Sequence, residues 1–313
     1  MNNIEFINSI LSHSYDRFRK ERFIVYKKYF LISFILLSVS VKANWNIKFP
    51  TTGGKLLWTD VKVVNGWRIQ ENLVTGHCRL LNPKKIRYDW GSFKNCTATL
   101  AKHTEVQSNK KIAVLIHGLG LRKESLSCLV PLLEKQGFQV IQFGYAAMLE
   151  PLESCAKKLH SVLKEYEGEK YFITHSMGGI LLRLYQQKYD VEIEKAVMLA
   201  PPNKGARIVD SLKRLNISGL LGVNGKRLHT DCDGLPQSLP GIKGDYMTIA
   251  GTKKSIFGYF PLFFFMKDQN DGVISIDSTR MNDEVKHLEV KAYHLKIMKH
   301  KTAQKAIIEF ITK

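Results

Sequence analysis

Acidic side chains are scarce in this chain: 28 Asp and Glu stand against 47 Lys and Arg, a formal net charge of +19 over 313 residues. That imbalance disfavours a basic partner and suits an anionic membrane surface or an acidic substrate. The basic residues scatter, and no aromatic-interleaved basic motif accompanies them, so no nucleic-acid partner is expected. Cysteine is thin as well. The five present are an odd number, which excludes complete intramolecular pairing. No cluster stands out at metal-ligand spacing, and no cofactor is expected. Internal repeats and low-complexity linkers are absent, which argues against a solenoid or a string of tethered modules.

One stretch, Tyr29–Val41, contains no charge and comes directly after Lys27 and Lys28. A basic flank before a short apolar core is the pattern of an export signal, and the run falls short of the roughly 20 residues that span a bilayer comfortably. Val41-Lys42-Ala43 places compact residues at alternate positions ahead of Asn44. Residues 1–43 are therefore read as a signal peptide cleaved after Ala43, with the chain periplasmic or secreted, or membrane-anchored if cleavage fails. Residues 44–313 would then carry a net charge of about +15. The lead before the apolar core is long, and Val25 is an alternative start.

Residues 44–108 hold short β-prone stretches such as Val61–Val64 and Gly66–Ile69, broken by Gly, Asn and Thr. They read as a strand-and-turn appendage packed on the main body. Cys78 and Cys96 both fall in it and are either a disulfide that tethers it or two reduced thiols.

From Lys111 the pattern changes. Ile112–Ile116 is a continuous apolar run of the kind found in a parallel sheet covered on both faces. Further strands are expected at 138–143, 171–173, 196–200, 246–250 and 288–292. Between them lie helical stripes, one through Leu126, Leu129, Val130 and Leu133 that Pro131 would kink, and one that places Cys155 in the core. Residues 109–313 thus read as one catalytic domain around a doubly wound, mostly parallel sheet. Two connections, 201–245 and 251–286, are too long for simple loops and leave strand carboxyl ends, where such sheets place their ligands. They are read as cap or lid insertions.

His175-Ser176-Met177-Gly178-Gly179 sits between a strand and a helix, the setting of a nucleophile elbow, in which neighbours two positions from the serine are small. Gly178 meets that requirement; Thr174 stands where the common pattern has Gly. A serine hydroxyl is a poor nucleophile at neutral pH and needs an imidazole to take its proton and a carboxylate to hold the imidazole. His117-Gly118-Leu119-Gly120, after the first apolar strand, is placed to supply a backbone N–H to a developing oxyanion through Leu119, with Met177 giving the second. His117 is read as fixing that loop.

Together with Leu199-Ala200-Pro201-Pro202-Asn203-Lys204-Gly205, Asn270-Asp271-Gly272-Val273 and His294-Leu295-Lys296-Ile297-Met298, these segments resemble the α/β-hydrolase superfamily. Its small bacterial lipases and esterases and its GPI-inositol-deacylase-like members are most similar. The resemblance runs from Lys111 to the end and leaves the appendage uncovered. It implies the α/β-hydrolase fold and the chain order Ser, acid, His, with the base in the loop after the last strand. Ser176 then matches the nucleophile, Asp271 the acid with Asp268 as runner-up, and His294 the base with His300 as rival. His287 falls at the wrong end of its strand.

The chemistry so implied is acyl transfer through an acyl-enzyme: hydrolysis of carboxylic esters, with acyltransferase or thioesterase chemistry as the alternative and a non-catalytic binding protein third. The apolar segment Ile256–Met266 is either a buried plug or an acyl-chain wall or lid. With the basic surface, it points to a lipid-like ester, peripheral contact with a membrane, and a chain acting as a monomer.

Overall fold

In a computed structural model of the chain, residues 57–105, 111–254, 268–281, 284 and 286–313 are described. The expected signal segment and Ile256–Met266 lie outside them.

The appendage is a four-stranded antiparallel sheet in the order β1 (Trp58–Val64), β2 (Trp67–Asn72), β3 (Cys78–Leu81), β4 (Arg87–Gly91), after which comes the helix Phe93–Ala101. Asn65 and Gly66, both at positive φ, form the two-residue β1–β2 turn, the combination whose twist matches flanking strands. Ser92 caps the helix by accepting from Asn95 N at 3.1 Å. Val61, Val64, Ile69, Cys78, Leu80, Cys96 and Leu100 form its small core. All five cysteines of the chain are free thiols, Cys78 and Cys96 included. Val63, on β1, belongs instead to the core of the main domain, and Tyr166 Oη donates to Val63 O at 2.5 Å. The appendage is thereby joined to the body along β1.

Six parallel strands build the main sheet in the order β10 (Lys286–Val290), β9 (Asp245–Gly251), β8 (Lys195–Leu199), β7 (Lys170–His175), β5 (Ile112–Ile116), β6 (Gln139–Phe143). Alternate residues of β5 enter different cores. Ile112, Val114 and Ile116 pack with the helices Leu152–Leu163 and Met177–Tyr189; Ala113 and Leu115 pack with the helix Lys301–Thr312. Covering on both faces is why this strand is apolar at every position. The expected helix over 126–133 is split into a 3₁₀ segment, Lys123–Leu129, and a helix, Val130–Glu134. Pro131 falls in the first turn of the second piece, where a missing N–H costs nothing, so it starts a helix and does not kink one.

The chain passes from β5 outward to β6, then returns to lay β7 on the other side of β5. The carboxyl ends of β5 and β7 therefore flank the point where strand order reverses, the crevice that open α/β sheets use for ligands. The loop from His117 and the turn at Ser176 leave from those two ends.

Candidate active site

Ser176 comes directly after β7 and starts the helix Met177–Tyr189 with φ 53° and ψ −127°. Its N–H donates to Leu199 O at 2.8 Å, which bridges the elbow to β8. The turn is possible because its neighbours are bare. A Cβ on Gly178 would lie 2.5 Å from Ile116 O, and one on Gly179 would lie 3.1 Å from Pro201 Cβ and 3.4 Å from Thr174 Oγ1. Thr174, fully buried on β7, is thus accommodated beside a glycine in the helix.

Asp271 sits in a turn built from its own polar atoms. Its Oδ1 accepts from Val273 N at 2.9 Å and Ile274 N at 2.8 Å, and Asn270 Oδ1 accepts from Gly272 N at 2.9 Å. Both bonds fall on Oδ1 and leave Oδ2 to face away from the turn. Gly251, at the end of β9, lets this turn approach: a Cβ there would meet Asp271 Cβ at 2.7 Å and Ala292 O at 2.6 Å.

His294 lies four residues beyond β10 and is 6% exposed. Its Nδ1 is 2.7 Å from Asp271 Oδ2 and its Nε2 is 3.0 Å from Ser176 Oγ. Asp271 O also accepts from His294 N at 3.0 Å, so the two residues are held by backbone as well as side chain. With Nδ1–H donating to the carboxylate, Nε2 is free to accept the serine proton. Ser176 at 9% and Asp271 at 1% exposure complete a line of three groups nearly closed to water.

Of the competing residues, Asp268 pairs with Arg207 at the surface, and Asp277 with Lys204 at 3.0 Å. His287 is bonded to Thr248 Oγ1 at 2.7 Å. His300 stands at the N-cap position of the last helix and is half-buried. None of these joins Ser176.

Gly118 adjoins the serine so closely that a Cβ on it would meet Ser176 Cβ at 2.9 Å. Leu119 and Met177, on either side of that contact, present backbone N–H groups with no acceptor among the described residues. Met177 is the first residue of its helix, so the positive end of the helix dipole reinforces its N–H.

His175, beside Ser176, is fully buried, and its ring lies tilted against that of His294 with centroids 4.7 Å apart. Its Nε2–H donates to His294 O at 3.0 Å, and burial, first among the causes, holds its pKa well below 6.5. The ring is therefore a neutral brace for His294. Only its place before Ser176 marks it in the sequence.

A separate group joins His229, Asp231 and Asp233, whose ligand-type atoms lie within 4.8 Å of one another. The sequence pattern His-x-Asp-x-Asp corrects the expectation that no such spacing exists. Lys213 pairs with Asp231 at 2.9 Å.

No protein-family profile and no curated protein matches this sequence. Solved structures do. The mature form of lipase BlEst2 from Bacillus licheniformis superposes with a TM-score of 0.51 at 18% identity, covering 64% of this chain and 92% of that one. The propeptide form of the same lipase gives 0.53 at 17% identity, covering 65% of this chain and 50% of the other. At such identity the likeness speaks to fold. Together with the parallel sheet and its flanking helices, it shows that the chain has the α/β-hydrolase fold.

Proposed function

We propose that the chain is a serine esterase that cleaves carboxylic esters through an acyl-enzyme. The observation that carries the reading is the continuous line from Ser176 Oγ to His294 Nε2 at 3.0 Å and from His294 Nδ1 to Asp271 Oδ2 at 2.7 Å.

In this reading Ser176 Oγ attacks the ester carbonyl carbon as its proton passes to His294 Nε2. Asp271 holds Nδ1–H and offsets the charge on the imidazolium. The carbonyl oxygen, now anionic, accepts from Leu119 N–H and Met177 N–H, interactions worth on the order of 3 kcal/mol each in related chemistry. Collapse of the tetrahedral intermediate breaks the ester C–O bond, and the alcohol leaves with the proton from His294. Water then attacks the acyl-enzyme by the same route, releasing the acid and restoring Ser176.

The substrate we infer is a lipid-like acyl ester. Leu149, Leu215, Leu220 and Leu295 are 42%, 56%, 64% and 51% exposed. Leu295 adjoins His294, and Leu215 and Leu220 lie in a segment, 211–227, with four basic and no acidic residues. That segment also reaches the oxyanion loop, since a Cβ on Gly225 would meet Leu119 Cδ2 at 2.8 Å. Exposed apolar groups among cations suit an anionic lipid surface, and lipase activity is what the protein of like fold is named for.

The test is hydrolysis of short and long p-nitrophenyl esters by the chain and by Ser176→Ala. Activity is expected in the first and not in the second; an equally active variant would overturn the assignment. Product analysis with an added alcohol separates transfer from hydrolysis.

A further inference from the structure

The N-terminal sheet contributes none of the three residues just assigned, yet its first strand bonds into the floor of the site. Asp60 on β1 is completely buried. Its Oδ2 accepts from Gly144 N at 2.7 Å, its Oδ1 accepts from Gln70 Nε2 at 2.7 Å, and Arg68 pairs with it. Asp60 N in turn donates to Gly144 O at 2.8 Å. Both backbone groups of Gly144, the residue after β6, are therefore held by one residue of the appendage. The approach is close: a Cβ at 144 would sit 3.1 Å from Asp60 Oδ2 and would press on the contact. Two residues on, Ala146 N donates to Thr59 Oγ1 at 3.0 Å, so β1 grips both sides of Tyr145.

Tyr145 holds His117. The rings stack with centroids 4.3 Å apart, Tyr145 Oη donates to His117 O at 2.7 Å, and Tyr145 N–H faces His117 Nε2 at 3.5 Å. His117 Nδ1–H then donates to Gly118 O at 2.9 Å. Burial lowers the His117 pKa to about 4, so the ring stays neutral at ordinary pH. Its one N–H is fully used by the Gly118 carbonyl. The Gly118 C=O and the Leu119 N–H belong to one rigid planar peptide, and anchoring the carbonyl fixes the direction in which the N–H points.

We propose that Asp60 is a positioning residue: acting through Gly144, Tyr145 and His117, it sets the orientation of the Gly118–Leu119 peptide and so aims one of the two oxyanion donors. The N-terminal sheet is in that sense part of the active site. The proposal rests on the esterase reading, with Leu119 N–H as a donor.

The experiment compares Asp60→Ala, Asp60→Asn and Tyr145→Phe with the parent chain and Ser176→Ala. Steady-state kinetics on p-nitrophenyl butyrate is joined to inhibition by an alkyl trifluoromethyl ketone, whose adduct with a serine carries the oxyanion. Asp60→Ala and Tyr145→Phe should lower kcat about 10- to 100-fold with KM nearly unchanged, and weaken the ketone by a similar factor. Asp60→Asn, which keeps an acceptor for Gly144 N–H, should recover much of the loss. Tyr145→Phe keeps the ring in the core and decides the matter if Asp60→Ala does not fold. Folded variants with unchanged kcat and ketone affinity would overturn the proposal while leaving Ser176 in place. Full activity in Ser176→Ala would overturn both.

Discussion

Ser176 is held at φ 53°, a conformation that side chains other than glycine rarely adopt. The contacts that hold it there are short and backbone-to-backbone, and Gly178 is the place where they leave no room. Gly178→Ala would set a methyl group 2.5 Å from Ile116 O, so the helix must move from the sheet. A loss of roughly 2–4 kcal/mol in urea unfolding is expected, with activity lost alongside; stability within about 0.5 kcal/mol of the parent would contradict this packing. At the base, His294→Ala should remove activity while His300→Ala keeps most of it, measured as kcat/KM on p-nitrophenyl butyrate. Loss only in the second would show the wrong histidine assigned. The elbow was legible because Gly178 and Gly179 come soon after a serine between a strand and a helix. Asp271 was legible in part, since Asn-Asp-Gly marks a turn but does not say that Oδ2 faces a histidine. Gly251 and Asp60 were not legible. Their roles depend on Asp271 and Gly144, distant in the chain, and a lone Gly or Asp carries no local sign of such a neighbour.

Secondary structure tracked the apolar runs closely where strands were covered on both faces, as in Ile112–Ile116, Tyr171–Ile173 and Ala196–Leu199. It departed where local chemistry outranked periodicity. The stripe from Leu126 to Leu133 satisfies a helical period in pieces, and Pro131 sets the start of the second piece. The long connection 201–245 holds the helix Arg207–Arg214 and shorter turns, among them the segment with the exposed leucines. Replacing Leu149 and Leu220 together by Ser should weaken binding to anionic phospholipid vesicles several-fold. Short-ester hydrolysis should be untouched, because the proposed role of these side chains is at the lipid surface and not in the chemistry. Vesicle sedimentation with both chains checks this; unchanged binding would assign the leucines no such role. The other expected wall, Ile256–Met266, lies outside the described residues.

Over the whole molecule, buried neutral histidines tie stability to pH. His117 is held at about 4 against an ordinary 6.5, and His175 is shifted in the same direction, burial being the first cause in both. The unfolded chain therefore binds more protons below pH 6.5. Their contribution to stability is complete above that pH and is lost progressively as pH falls toward 4, by on the order of 3 kcal/mol for His117 alone. Urea midpoints between pH 7.5 and 4.5 should fall accordingly, and a flat profile would contradict the burial of these rings. If residues 1–43 direct export, the processed chain recovered outside the cytoplasm should begin at Asn44. The proposed function turns on covalent chemistry at one serine, Ser176. It is read out by treating the full chain with a fluorophosphonate and mapping the adduct by peptide mass spectrometry. A single phosphonylated peptide carrying Ser176, absent in Ser176→Ala, is expected. An adduct on another serine, or none while ester hydrolysis proceeds, would remove Ser176 from the chemistry.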